Sequence, residues 1–162
     1  TVIDGSMDYF KLNDTDAKAD SGYTAPTSSV FSNVTFTGGT NQVAYCFHSV
    51  EGFSKFGTYT GNGSADGPFI NTGFRPAFVM TKRTDAVSNW TLWDNTRDPH
   101  NAGERTLMTN DSGAEESGNA YESWDLLSNG FKLRSNGRAN VSSGTYIYMA
   151  FAEMPQKYAN AR

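Results

Sequence analysis

The sequence predicts an all-β fold, an antiparallel β-sandwich of jelly-roll-like kind, and three observations carry that prediction. Apolar residues alternate with period two in several short runs, which is the pattern of strands that present one face to a core. The gaps between these runs are dense in Gly, Asn, Asp and Ser, the residues of turns. Charged residues make up only 19% of the 162 residues while 14% are aromatic, so rings that each bury a large area can build the core.

The elements follow in chain order. "QVAYCFH", from Gln42, alternates as a buried strand would, and its Cys46 reads as a buried, inert thiol. "SKFGTYT", from Ser54, is a strand. "RPAFVMTKR" places Phe78 and Met80 on one face and Ala77 and Val79 on the other. "NWTLWDN" sets Trp90 and Leu92 against Thr91 and Trp93. Only "AEESGNAYESWDLL", from Ala114, has room for a helical turn, and Gly118 weakens it. "GFKLRS" sets Phe131 and Leu133 against Lys132 and Arg134, the signature of a strand with one wet face. "TYIYMAFAE" carries Ile147, Met149 and Phe151 on one face and Tyr146, Tyr148, Ala150 and Ala152 on the other. Both faces are apolar, so this strand is expected at the centre of a sheet, covered on both sides.

The chain also repeats itself. "FKLNDTDAKADSGY", from Phe10, matches "LMTNDSGAEESGNAY", from Leu107. "VFSNVTFTGGTNQVAYCFHSV", from Val30, matches "GFKLRSNGRANVSSGTYIYMAFAEM", with Phe31 on Phe131 and Phe47 on Phe151. The separation is about a hundred residues, with a few residues of drift in the loops. Residues 1–50 are therefore expected to be the C-terminal part of one β repeat and 51–162 a complete one. With no Pro/Gly linker at the join, the two are expected to share packing.

Composition excludes some functions. The net charge is −4 and the basic residues are scattered, so phosphate neutralisation of a nucleic acid is not expected. No apolar run approaches the ~20 residues of a membrane span. "KFGTYTGNGSADGPF" brings Gly61, Gly63 and Gly67 close together, but a phosphate-binding loop needs a helix behind it. Pro68, Gly73 and Pro76 follow instead, so these glycines are expected to bend turns.

Asp14, Asp16 and Asp20, and their counterparts Asp111, Glu115 and Glu116, lack the full spacing of a calcium loop and read as solvated acidic loops. His48 and His100 have no metal-like partner near them in sequence. No G-x-S-x-G elbow occurs, and the carboxylates single out no glycosidase pair. A non-enzymatic protein without metal or cofactor is expected. The loop "WDNTRDPHNAGER" is the candidate binding site: Trp93 could stack on a sugar ring while Asp94, Asn95, Arg97, Asp98, His100 and Asn101 hydrogen-bond its hydroxyls. The same set also reads as a surface loop held by an Arg–Asp pair.

Taken together, "YCFHSVEGFSKFGTYTGNGSADGPFINTGFRPAFVMTKRTD", "LSNGFKLRS", "SGTYIYMAFAEMP" and the terminal "YANAR" resemble a repeat module of bacteriophage tail-fibre and tail structural proteins, common in marine and cyanobacterial phages. That module is itself a domain of unknown function. The resemblance covers nearly the whole chain and implies a virion location, in the tail, with no catalytic residues. It also implies that Arg162 is the natural C-terminus of a longer protein. The expected partners are other copies of the chain, as a homotrimer, other virion tail proteins, and a host-surface glycan. The alternatives are a carbohydrate-binding module of a secreted bacterial protein and a tailspike-type glycan hydrolase.

Overall fold

A computed structural model gives the structure of the chain, describing residues 7–24, 26–27, 29–30, 43–118 and 122–154. These residues form no helix. Their strands are β1 (Asp8–Tyr9), β2 (Ala19–Asp20), β3 (Ser54–Thr60), β4 (Phe69–Asn71), β5 (Pro76–Arg83), β6 (Thr91–Asp94), β7 (Leu107–Met108), β8 (Trp124–Leu127), β9 (Gly130–Leu133) and β10 (Thr145–Ala152). A five-stranded sheet in the order β3-β10-β5-β6-β7 faces a three-stranded sheet in the order β4-β9-β8. Every ladder is antiparallel. The protein is an all-β sandwich.

Strand parity decides what the core receives. From the five-stranded sheet, Val79, Trp93, Tyr148 and Ala150 point inward; Ile70, Leu126, Phe131 and Leu133 meet them from the other layer. Trp93 stacks on Trp124 at 5.7 Å, and Phe131 meets Tyr148 edge-on at 5.5 Å. Tyr59 and Tyr146 lie parallel at 4.8 Å, each hydroxyl donating to a backbone carbonyl, of Ala139 and Arg138 respectively. Buried rings thus keep their polar ends satisfied. Gly57 faces Tyr148 across the β3–β10 ladder. A Cβ there would come within 2.9 Å of the Tyr148 ring, so the absence of a side chain lets the ring lie over the strand.

β10 sits between β3 and β5, as its two apolar faces predict. Its inner face is sealed, but Ile147, Met149 and Phe151 on the outer face are only half-buried. Two parts of the N-terminal 50 residues border that outer face. The β1–β2 hairpin lies over one end: Lys18 N–H donates to Thr84 O at 3.0 Å, and Thr15 O accepts from Ser88 N–H and from Lys82 Nζ. At the other end Phe47 joins Phe56 and Phe151.

The matched stretches from Phe10 and Leu107 behave alike. Tyr9 pairs with Ala19, and Thr106, ninety-seven residues on from Tyr9, pairs with Glu116. Asp14 N–H donates to Lys11 O, and Asp111 N–H donates to Met108 O.

Three expectations need correction. Residues 43–48, the described part of the stretch read as a strand equivalent to β10, form no strand and are exposed, and the ladders beside β10 are filled by β3 and β5. Cys46 is accordingly exposed, not buried. The stretch with room for a helical turn instead ends in strand β8, where Trp124 and Leu126 supply the core. Residues 31–42 and 119–121, parts of the matched repeats, lie outside the described residues, as does "YANAR".

Candidate functional site

The glycines of the β3–β4 connection serve the scaffold. Gly61, Gly63 and Gly67 N–H groups donate to the carbonyls of Gly144, Asn140 and Leu133. A Cβ on Gly61 would lie 2.4 Å from Val141 O, and one on Gly67 2.6 Å from Leu133 O. These glycines let two backbones touch. Asn140, fully buried, ties the junction: its Nδ2 donates to Asn62 Oδ1, Ser64 O and Ser135 O, and its Oδ1 accepts from Asn62 N–H. The amides that a phosphate would need are occupied by carbonyls.

The loop after β6 holds the candidate residues, and the structure divides them. Trp93 is 0% exposed, packed on Trp124, with its Nε1–H donating to Thr106 Oγ1 at 3.1 Å. It is a core residue and offers no ring to a sugar. The parity that set Trp93 with Thr91 was right, but the face carrying both turns inward.

The polar members build the loop. Asp94 Oδ1 accepts from the backbone N–H groups of Thr96 and Arg97, and its Oδ2 takes Arg97 Nε at 2.5 Å. Burial pushes the Asp94 carboxyl up, but these amides and the guanidinium outweigh it and hold it below its usual range. Arg97 Nη1 reaches Glu115 Oε2 at 2.6 Å, which ties in the loop after β7. Asp98 Oδ2 accepts from Glu104 and Arg105 N–H. Asn101 donates to Leu126 O and accepts from Leu126 N–H, standing beside β8 as a strand residue would. Asn95 donates to Glu153 Oε1. His100 is exposed. The Arg–Asp pair and its neighbours therefore cross-link three loops and leave little of the set pointing outward in common.

The alternate acids do not converge. Among the described residues no three metal-ligating side chains come together. Asp20 meets Lys18, Glu115 meets Arg97 and Arg105, and Glu116 pairs with Arg138.

Glu122 was missed by sequence reasoning. It is 1% exposed, and Arg138 Nε lies 2.9 Å from its Oε1 but off the line of a hydrogen bond. Burial raises its carboxyl to about 7, against the pull of Arg138. Nothing in "NAYESWDLL" marks it, because burial of one acid depends on packing from Arg138, which is distant in sequence.

The other feature is apolar. On the outer face of the five-stranded sheet, between the β1–β2 hairpin and β3, lies a cleft of about 550 Å³ lined by Phe10, Phe56, Met80, Trp90, Ile147 and Met149, together with the buried Asp8. Asp8 is paired with Lys18 Nζ at 2.9 Å. Beyond the cleft the face continues through Phe78, Phe151, Phe56, Phe53 and Phe47, ring against ring.

These features define a β-sandwich whose polar loops are knotted into the scaffold and whose outward-facing surface is aromatic. The chain belongs to a family described as a domain of unknown function (DUF7483), whose model matches residues 2–155. No curated protein and no solved structure matches it.

Proposed function

We propose that this chain is a non-enzymatic bacteriophage virion protein, the C-terminal part of a tail fibre or related tail appendage. Its task is structural and rests on association with other copies of itself, as a homotrimer, and with neighbouring tail proteins; a host-surface glycan is its candidate ligand. The resemblance of its motifs to tail modules supports the virion location. One structural observation carries the reading. The side chains with chemistry to offer are tied to each other, while exposed apolar surface gathers along one sheet face and the extended segment beside it. Such a patch marks an interaction surface. The raised carboxyl of Glu122 is sealed away from any groove, which weighs against a hydrolase.

The aromatic cleft favours a second reading, a carbohydrate-binding module, since Phe10 and Phe56 could stack on sugar rings. Two measurements separate these. Antibodies raised against the chain should label the tail in electron micrographs of the particle; label absent from intact particles would refute the first reading. A glycan array probed with the folded chain should show signal that Phe10→Ala removes; no signal from a folded chain refutes the glycan role.

A further inference from the structure

We infer that the N-terminal hairpin, residues 7–24, is a strap that lifts off the outer face of the five-stranded sheet while the sandwich stays closed, with Lys82 as its latch. In this role, which rests on the reading of that face as the interaction surface, the strap sets how much of the face is open.

The strap stands outside the bonding scheme of the sandwich. β1 and β2 pair with each other and join neither larger sheet. Each has two residues, and a two-stranded ribbon is marginal by itself. Among residues 7–24 Asp8 alone is buried, and the core cluster takes no side chain from them.

The strap is fastened along one flank. Lys18 N–H donates to Thr84 O, Ser88 N–H and Lys82 Nζ both donate to Thr15 O, and Trp90 Nε1–H donates to Lys11 O. Phe10 meets Trp90 edge-on at 5.9 Å. The body residues in this row all lie between Lys82 and Trp90, at the end of β5 and in the connection to β6. On the opposite flank, toward β3, the cleft of about 550 Å³ parts the strap from the sheet. Attachment on one side and a gap on the other is the geometry of a hinged cover.

Lys82 shows how the joint opens without a large penalty. By strand parity it continues the outward row of Phe78 and Met80, yet it is a lysine, 1% exposed. A buried ammonium is costly unless it is paired and hydrogen-bonded. The strap supplies that compensation. Nζ donates to Thr15 O at 3.0 Å besides Ser88 O at 2.8 Å, and the Phe10 ring lies 6.0 Å away. Burial pulls Lys82 toward the neutral amine, and Asp14 and Asp16, both on the strap, oppose it. When the strap lifts, water replaces Thr15 O and the two acids around the ammonium. The ion is solvated in either state, so the joint closes on a small difference between large terms. Lifting also takes Phe10 and Lys11 away from Trp90, which is now 7% exposed, and opens the cleft into one apolar floor with Met80, Ile147 and Met149.

Hydrogen exchange followed by NMR on the full 162-residue chain tests the strap without any partner. The reporters are the bonded amides of Lys18, Ser21 and Ser88, set against the ladder amides of β10. We expect the reporters to exchange roughly tenfold faster than β10, or more, because they open without global unfolding. Lys82→Met keeps the stem and removes the ammonium. It should speed the Lys18 and Ser88 amides by roughly tenfold again and leave β10 unchanged. Acrylamide should then quench Trp90, while Trp93 and Trp124 stay sealed. If Lys82→Met does not fold, Trp90→Phe, which removes the N–H given to Lys11 O, takes its place with the same expectation. Reporters and β10 exchanging at one common rate in the parent chain overturn the strap. A folded Lys82→Met whose reporters are as slow as the parent's overturns the latch. The face itself is judged apart, by sedimentation: a variant whose strap opens but which stays monomeric up to about 100 μM upholds the strap and refutes self-association through this face.

Discussion

Residues 43–49 and strand β10 carry nearly the same alternation, yet they live in opposite surroundings. β10 lies between two strands with its inner face sealed: Tyr146 and Ala150 are almost wholly enclosed, and Met149 and Phe151 half so. Residues 43–49 have Cys46 in the place of Ala150 and Tyr45 in the place of Met149, and both are exposed. The difference teaches that alternation specifies a capacity to pair and nothing more. β10 has β3 and β5 to pair with, while among the described residues 43–49 join no ladder and meet β3 only at their end, through Phe47, His48 O and Ser49 Oγ. What a strand-like sequence does depends on which edges are left open when the sheet closes.

The sharpest way to break the comparison is to place the same charge at matched positions. Ala150→Asp puts a carboxylate into a fully buried position opposite Val79, with the exposed Lys55 across β3 as its neighbouring cation, and should cost on the order of 3–5 kcal/mol, enough to threaten a domain of ordinary stability. Cys46→Asp should change the stability of the dilute monomer by less than about 0.5 kcal/mol. Urea titrations of both variants decide it. Equal losses would mean that residues 43–49 are enclosed as β10 is.

A smaller contrast lies in the paired rings. Phe151 packs against Phe47, Phe53, Phe56 and Phe78, so it is a hub of the outer aromatic cluster. Phe151→Ala should cost about 3 kcal/mol, near the lower end for an aromatic truncation because the ring is half-exposed. Phe47→Ala, with most of its ring in water, should cost about 1 kcal/mol. If Phe47→Ala proves as costly as Phe151→Ala, residues 43–49 are a built part of the single chain's fold.

Acidity separates the two regions in another way. Arg138 accepts the Tyr146 hydroxyl on its backbone carbonyl and holds Glu116 and Glu122 with its guanidinium, so the inner side of β10 is coupled to a buried acid. Burial raises the Glu122 carboxyl from its usual 4.5 to about 7. A raised carboxyl binds its proton more tightly in the folded chain than in the unfolded one. Its contribution to stability is therefore fully present below about pH 4.5 and is lost as pH rises through about 7. Glu122→Gln should then match the parent chain near pH 4.5 and be the more stable at pH 8, by up to a few kcal/mol. Thermal melts across that range test it; a variant destabilised equally at both ends would show the Arg138 ion pair to outweigh the burial of the charge.

Much of this architecture was legible in the chain. Period two located β3, β5, β6, β9 and β10, and the turn residues between them placed the connections. The faces were legible too: Phe131 and Leu133 are buried while Lys132 and Arg134 look outward. What alternation cannot state is which of two apolar faces turns inward. Trp93 shares a face with Thr91 in either case, and only the presence of Trp124 across the sandwich makes it a core residue instead of a binding ring. The same limit applies to Cys46. In the candidate loop an Arg–Asp pair was recognisable, and the structure makes it from Arg97 and Asp94, but the bonds from Asn101 to Leu126 and from Arg97 to Glu115 join segments far apart in sequence. Such closures depend on the sheet order, which no local pattern encodes.

The smallest expected effect is the most discriminating for residues 43–49 themselves. Tyr45→Ala removes a ring that is 82% exposed and that makes no described contact with the body of its own copy. In a dilute sample its effect on stability should lie within about 0.5 kcal/mol, because almost no area is withdrawn from water by folding. If the ring serves a joint between copies, the effect must grow with protein concentration, since an oligomer stabilises its folded subunits by mass action. Melts of the parent chain and of Tyr45→Ala should coincide at low concentration and diverge as the sample is concentrated. A difference already present at high dilution would place the ring against its own copy, and curves that never diverge would leave Tyr45 with no part in assembly.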